Sequence, residues 1–159
     1  MPGKETRMAR RMGSTEMKFI KLVIAPFSRW NARRYLASRG RSMGRFLGRD
    51  ICVASMKGAK SGARRVVPLM YVPYGEGVLL VASLGGAPKH PTWYYNLVKN
   101  PDLDVQVKER TLHLRARLAT PAEKARLWPI CVAHYPPYAD YQARTDRDIP
   151  VFVCEPRTT

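Results

Sequence analysis

Histidine and cysteine are both scarce in this chain, three of each in 159 residues. His90, His113 and His134 lack metal-ligand spacing, and Cys52, Cys131 and Cys154 are odd in number, far apart and set mostly in apolar sequence. Neither a zinc site nor a disulfide framework is therefore expected, and a reducing cytosol fits best. No Gly-x-Ser-x-Gly elbow or Cys/His pair is present to supply a nucleophile. A Walker loop is absent as well, since no Gly-Lys-Ser/Thr follows Gly58 at the required spacing. Acids are few, twelve against 28 Lys and Arg, and Asp146 and Asp148 flank Arg147 in what reads as a salt-bridged approach to a final strand. They do not resemble a pair set for glycoside chemistry. The longest early apolar run, Leu22 to Phe27, is far short of the roughly 20 residues a membrane-spanning helix needs. Arg29, Arg33 and Arg34 interrupt the region where a signal peptide would need a longer apolar core.

What is abundant is positive charge, +16 overall. Residues 1–49 hold thirteen Lys and Arg against Glu5 and Glu16, which is +11 and leaves +5 for the rest. Such a field attracts a polyanion: nucleic acid, an anionic bilayer surface or a negatively charged ligand. The length and a 45% hydrophobic content suit one domain with a real core and a basic appendage.

Residues 1–16 carry too few large apolar groups to order themselves and read as a leader. From Met17 to about Leu36, Ile20, Val23, Ile24, Phe27 and Trp30 recur at helical spacing among basic residues, predicting a basic amphipathic helix bent at Pro26. This helix packs on its own domain, lies in a membrane interface, or does both. A Gly/Arg-rich linker, 39–49, follows. Six strands are then predicted near 50–57, 64–73, 77–83, 103–109, 111–119 and 149–155, joined in part by hairpin turns at Tyr74-Gly75-Glu76-Gly77 and Lys108-Glu109-Arg110. One helix runs from Pro91 to about Lys99. Another opens at the capping box Thr120-Pro121-Ala122-Glu123. Mainly antiparallel strands with peripheral helices predict a small barrel of mainly β, α+β character, with its domain over 48–156.

Between the first two strands lies Gly58-Ala59-Lys60-Ser61-Gly62-Ala63-Arg64-Arg65. It is either an ordinary hairpin with solvated charges or a cationic turn that holds an anion, with Lys60 as a point charge and Arg64 or Arg65 as a planar fork. Two aromatic groups stand elsewhere. Trp93, Tyr94 and Tyr95 follow the small-residue stretch Val81-Ala82-Ser83-Leu84-Gly85-Gly86, which would let a planar ring approach the backbone. Tyr135, Tyr138 and Tyr141 recur every three residues across Tyr135-Pro136-Pro137-Tyr138. These rings are either core or the walls of a site. With no protein-only catalytic group in evidence, an enzyme built this way would depend on a cofactor.

These blocks, taken in order, resemble the deazaflavin-dependent nitroreductases, also described as quinone reductases that use reduced coenzyme F420. The blocks are Gly58 to Arg65 with Val67-Pro68-Leu69, Val81 to Ala87, Lys89 to Leu97, Asn100-Pro101, Trp128-Pro129, Tyr135 to Tyr141 and Arg147 to Pro156. The resemblance implies a flavin-reductase-like split β-barrel that holds the coenzyme in an open cationic groove. Lys60, Ser61 and Arg65 match positions that bind its phosphodiester and oligoglutamate tail, and Val66, Val67, Pro68, Leu69 and Met70 continue along the cofactor. Val81, Ala82, Ser83 and Leu84, with Thr92, Trp93, Tyr94, Tyr95 and Asn96, match segments around the deazaflavin and its linker. Tyr138 matches a cofactor-contacting tyrosine, and Tyr135 and Tyr141 match the wall of the substrate pocket. No metal is implied. Three departures stand out: Ala59 where the family often has Arg, Leu84 where it often has Lys or another polar residue, and Met70 where some members have an aromatic.

The reading implied is hydride transfer from reduced F420 to a quinone or nitroaromatic acceptor held between Trp93 and the tyrosine wall, with Tyr138 or water donating a proton. The expected setting is cytoplasmic, with peripheral attachment to the inner face of the cell membrane through the basic helix. Two alternatives compete. One is the same type of barrel binding FMN. The other is a non-enzymatic nucleic-acid binder, against which the charge lies mostly in the leader and no recognition motif appears, so no specific nucleic-acid partner is expected.

Overall fold

The computed structural model describes residues 25–158 except 43 and 47, so the leader, residues 17–24 of the basic helix and the expected bend's upstream arm lie outside the described residues. The described residues form eight strands: β1 (Arg45–Phe46), β2 (Arg49–Lys57), β3 (Arg64–Met70), β4 (Val72–Tyr74), β5 (Gly77–Val81), β6 (Asp102–Val107), β7 (Arg110–Leu118) and β8 (Val151–Pro156). Among the described residues four α-helices accompany them: α1 (Ala25–Ala37), α2 (Thr92–Lys99), α3 (Pro121–His134) and α4 (Pro137–Ala143).

All strand pairings are antiparallel, in the order β1-β2-β6-β7-β8-β5-β4, and β3 also pairs with β2. The stretch expected as one strand over 64–73 is thus two, and the division explains the barrel. Tyr71 alone separates β3, hydrogen-bonded to β2, from β4, hydrogen-bonded to β5. One passage of chain therefore joins the two ends of the sheet, leaving a split barrel whose wall returns to its own starting strand. Covalent continuity takes the place of exposed sheet edges there.

Side chains alternate across this wall. Cys52, Ala54 and Met56 of β2 point into an interior core with Leu80, Leu103, Val105, Leu114 and Phe152, while Val53 points outward against α1. A second core lies on another face, where Leu79, Val81, Val151 and Val153 meet Leu127 and Cys131 of α3 and Tyr138 of α4. Being covered on both faces, β5 is buried at every residue. All three cysteines are free and buried.

The described part of α1 packs on the barrel through Ala32 and Tyr35. The Tyr35 hydroxyl accepts from the Lys108 amide at 2.6 Å and donates to the Ile51 carbonyl at 3.3 Å. Trp30, expected on the apolar stripe, is instead 51% exposed. Two further corrections concern elements. The stretch read as a linker contains β1, too short to show periodicity. The proline-rich turn read at 135–138 leads into α4, which starts at Pro137 because proline lacks only an amide that a first-turn residue does not need.

Candidate cofactor site

The cationic turn connects β2 and β3. The Gly58 amide donates to the Ala63 carbonyl at 2.8 Å, the Gly62 amide to the Gly58 carbonyl at 3.1 Å, and Gly62 sits at φ 71°. Lys60, Ser61, Arg64 and Arg65 are all exposed. The Ser61 hydroxyl accepts from the Ala63 amide at 3.2 Å and from Arg65 Nη2 at 3.3 Å. Arg64 leaves the opposite face of β3, its Nη2 3.0 Å from Ser55 Oγ. Among the described residues neither Lys60 nor Arg65 is ion-paired with a carboxylate. Two cations thus stand on one exposed turn with no internal counter-charge, an arrangement that suits an anionic ligand.

The turn is braced by α2. Asn96 Oδ1 accepts from the Ala59 amide at 2.9 Å, Lys99 Nζ donates to the Ala59 carbonyl at 2.7 Å, and Asn100 Nδ2 reaches the Lys57 carbonyl at 3.5 Å. Asn96, expected to bind cofactor, is buried and spends its side-chain oxygen on this brace. Both backbone groups of Ala59 are held from α2, so this departure from the family pattern keeps a fixed backbone without the side-chain charge.

Helical spacing divides the aromatic run on α2. Trp93, at 8% exposure, and Leu97 turn into the interior core, where the Trp93 ring lies 5.7 Å from Phe152. Thr92 and Tyr95 turn outward, Tyr95 being 53% exposed. Tyr94 is half-buried and stacks on His90 with ring centroids 4.1 Å apart. Trp93, expected to hold the acceptor with the tyrosine wall, thus has its ring directed inward by its position on α2. The strand run Val66 to Met70 divides as well, with Val66 against α1, Val67 and Leu69 toward the interior core, Met70 toward the second core and Pro68 paired with Val53 of β2.

Beyond β5, Val81, Ala82 and Ser83 are buried and lead into a 3-10 turn, Leu84–Gly86. Three successive residues there have left-handed backbones: Leu84 at φ 44°, Gly85 at 62° and Gly86 at 81°. A Cβ on Gly86 would stand 2.5 Å from the Tyr141 carbonyl oxygen, so this turn and α4 meet backbone to backbone.

Arg147, read from sequence as a partner for its flanking acids, does something else. Its guanidinium donates to the carbonyls of Ala87 (2.8 Å), Ala82 (3.1 Å) and Ser83 (2.7 Å) and to His90 Nδ1 (3.0 Å). Asp148 pairs instead with Lys124. Burial lowers the Arg147 pKa from its ordinary value, and burial with the nearby Arg147 charge lowers that of His90. Carbonyl acceptors leave no trace in a sequence, so nothing there marked this role for the residue.

Tyr135, which caps α3, and Tyr138 and Tyr141 of α4 form one cluster. The hydroxyls of Tyr135 and Tyr141 are 3.0 Å apart, and the Tyr135 and Tyr138 rings meet edge to face at 4.9 Å. Tyr135 and Tyr138 are buried, at 6% and 4% exposure, while Tyr141 is half-buried. Burial pushes the Tyr138 hydroxyl far up. It also raises that of Tyr135, where the bond to Tyr141 adds to the effect. Tyr135 and Tyr138 therefore keep their protons through the neutral range.

The cationic turn is thus held by α2, Arg147 ties the Leu84–Gly86 turn to His90 before α2, and Gly86 meets Tyr141 of α4. Two open surface depressions are present among the described residues: one of about 260 Å³ lined by Ser55, Lys57, Arg64, Asp104 and Arg157, and one of about 370 Å³ lined by Lys124, Trp128, Gln142 and Asp148.

A family model of F420H(2)-dependent quinone reductases matches residues 27–156. The chain belongs to that family. A solved F420-H2 dependent reductase is 46% identical, with a TM-score of 0.63 over 66% of this chain and 93% of its own. An F420H(2)-dependent quinone reductase of Mycobacterium tuberculosis is 40% identical over 99 residues, 60% of this chain and 66% of that protein. The heme storage protein HutZ of Vibrio cholerae, only 12% identical, shares the fold at a TM-score of 0.51 over 80% of this chain and 90% of its own. The reductase is accordingly an oxidoreductase that depends on reduced F420, and of the two cofactors considered, F420 and FMN, the family's is F420. Its exposed Lys60 and Arg65, without a carboxylate partner among the described residues, fit a cofactor with an acidic tail.

Proposed function

We propose that this reductase transfers a hydride to a quinone held beside α4, with the cationic turn as the anchor of the cofactor. Bound F420H2 supplies the hydride from its deazaflavin ring. Lys60, Arg65 and Ser61 hold the phosphodiester and tail, contributing binding energy away from the reacting carbon and thereby orienting the ring. Val81 to Leu84 form the wall toward the ring, and Thr92 and Tyr95 flank it from the outward face of α2. Trp93 and Tyr94 support that face from within the barrel. Tyr138 backs the tyrosine wall from the core.

Reduction of a quinone to the hydroquinone needs one proton for each hydride. Tyr141, half-buried and hydrogen-bonded to Tyr135, is the tyrosine placed to donate it, with solvent restoring it. Nitroaromatic compounds are a second acceptor class for the same wall. An anionic membrane surface, where a quinone dissolves, is the proposed setting, approached through the basic helix; among the described residues no helix is long and apolar enough to cross a membrane.

The observation that carries this reading is the pair Lys60 and Arg65, exposed, without a carboxylate partner among the described residues and braced to α2. The test is a fluorescence titration of F420 against the Lys60→Ala/Arg65→Ala variant. Loss of two charge-assisted contacts, each worth about 1.5–3 kcal/mol, should weaken binding by more than about 100-fold. Full affinity in that variant would rule the reading out.

A further inference from the structure

The segment Ala82–Ala87 carries three consecutive left-handed residues, one of them Leu84, a side chain that pays for φ 44° with steric strain. Such a conformation persists where the surroundings over-determine it. Its own backbone supplies little: the Gly86 amide bonds the Ser83 carbonyl at 3.0 Å and the Ala87 amide the Leu84 carbonyl at 3.1 Å. From outside, the Ala82 amide bonds the Pro150 carbonyl at 2.9 Å and Gly86 packs on the backbone of Tyr141, and the side-chain restraint comes from Arg147, sixty residues or more away in sequence. Arg147 Nε, Nη1 and Nη2 reach carbonyls before and after the strained residues, at Ala82, Ser83 and Ala87. Nη1 also reaches His90 Nδ1, and so ties the same segment to the start of α2. All four acceptors are neutral. A planar fork satisfies this set, whereas an ammonium cannot span it.

We propose that Arg147 is a positioning residue for the cofactor site: by fixing the carbonyls on both sides of Leu84, it presets the wall at Val81–Leu84 and holds Gly86 against the backbone of Tyr141. The inference rests on the reading of that wall given above. Arg147 itself does no chemistry. It sets the relation between the wall, His90 on the approach to α2, and α4 with its tyrosines.

The test compares Arg147→Lys and Arg147→Gln with the unaltered protein in two measurements. Amide hydrogen exchange without cofactor is followed at Gly86 and Ala87 and, for global stability, at Leu80 and Phe152. F420 affinity is followed by fluorescence. Exchange at Gly86 and Ala87 should accelerate at least tenfold more than at Leu80 and Phe152 in both variants, with F420 affinity falling at least fivefold. Arg147→Lys keeps the charge without the fork, so its affinity should fall as well. Should Arg147→Gln fail to fold, the lysine variant decides alone.

Equal acceleration at all four amides, or unchanged F420 affinity in Arg147→Lys, would overturn the proposal. Failure of the underlying reading looks different: there the Lys60→Ala/Arg65→Ala variant would keep its affinity whatever the Arg147 variants do.

Discussion

At the scale of single residues, the tyrosines separate by exposure into different duties. Tyr138 is 4% exposed and its proton is held by burial, whereas Tyr141 is half-buried and shares a hydrogen bond with Tyr135. Tyr141→Phe should therefore lower kcat for a quinone by on the order of 100-fold while leaving the F420 dissociation constant within twofold. Stopped-flow and steady-state assays with menadione read the split, and an unchanged kcat would assign the proton to water. Lys60, Ser61 and Arg65 were legible in the sequence because charge on a glycine-flanked turn has nowhere to hide. Trp93 was not, since its inward direction depends on which face of α2 meets Phe152. The role of Arg147 was hidden for a different reason: two flanking acids offered obvious partners, while its guanidinium bonds three main-chain oxygens and a histidine nitrogen far along the chain.

At the scale of elements, the clearest local signal was the start of α3. The Thr120 hydroxyl accepts from the Glu123 amide at 3.2 Å and the Glu123 carboxylate from the Thr120 amide at 3.1 Å, closing the capping box read from sequence. Arg117 adds a contact at 2.9 Å, and its hydrogen bond, followed by that of the Thr120 amide, holds the Glu123 pKa down at about 2 from an ordinary 4.5. A depressed carboxylate stabilises the fold above its unfolded pKa, and that contribution is lost as pH falls from about 4.5 toward 2. Thr120→Ala should cost about 1 kcal/mol in urea unfolding, and Glu123→Gln should flatten the acid limb of stability against pH. A limb of unchanged slope would show that Glu123 is uncoupled from folding. Six strands were legible from their alternation, but the change of partner at Tyr71 was not, because a strand that leaves one neighbour for another keeps the same period. The helix α4 was masked by its two prolines, which read as a turn and serve as a helix start.

At the scale of the whole molecule, charge and fold divide the labour. The barrel supplies a rigid frame for the turn, α2, the strained segment and α4, and +11 of the +16 charge belongs to residues 1–49 of the sequence. The described part of α1 buries Ala32 and Tyr35 and leaves Arg29, Trp30, Arg33 and Arg34 exposed, with the Arg34 guanidinium 4.9 Å over the Trp30 ring. An aromatic ring among cations suits an anionic interface. Binding to vesicles containing phosphatidylglycerol should be salt-sensitive and should drop several-fold in Arg29→Gln/Arg33→Gln/Arg34→Gln; equal binding by that variant would detach the helix from membrane contact. The asymmetry of charge was visible in the sequence, whereas the facing of Trp30 came only with the packing of its helix. The central claim, that the turn at Gly58–Arg65 grips the acidic end of the cofactor, is tested most directly by a crystal structure of the reductase with F420 bound. The account predicts the phosphodiester and the first tail carboxylates within hydrogen-bonding distance of Lys60 and Arg65, with the ring beside Val81–Leu84. A tail lying elsewhere, with both cations still in solvent, would contradict it.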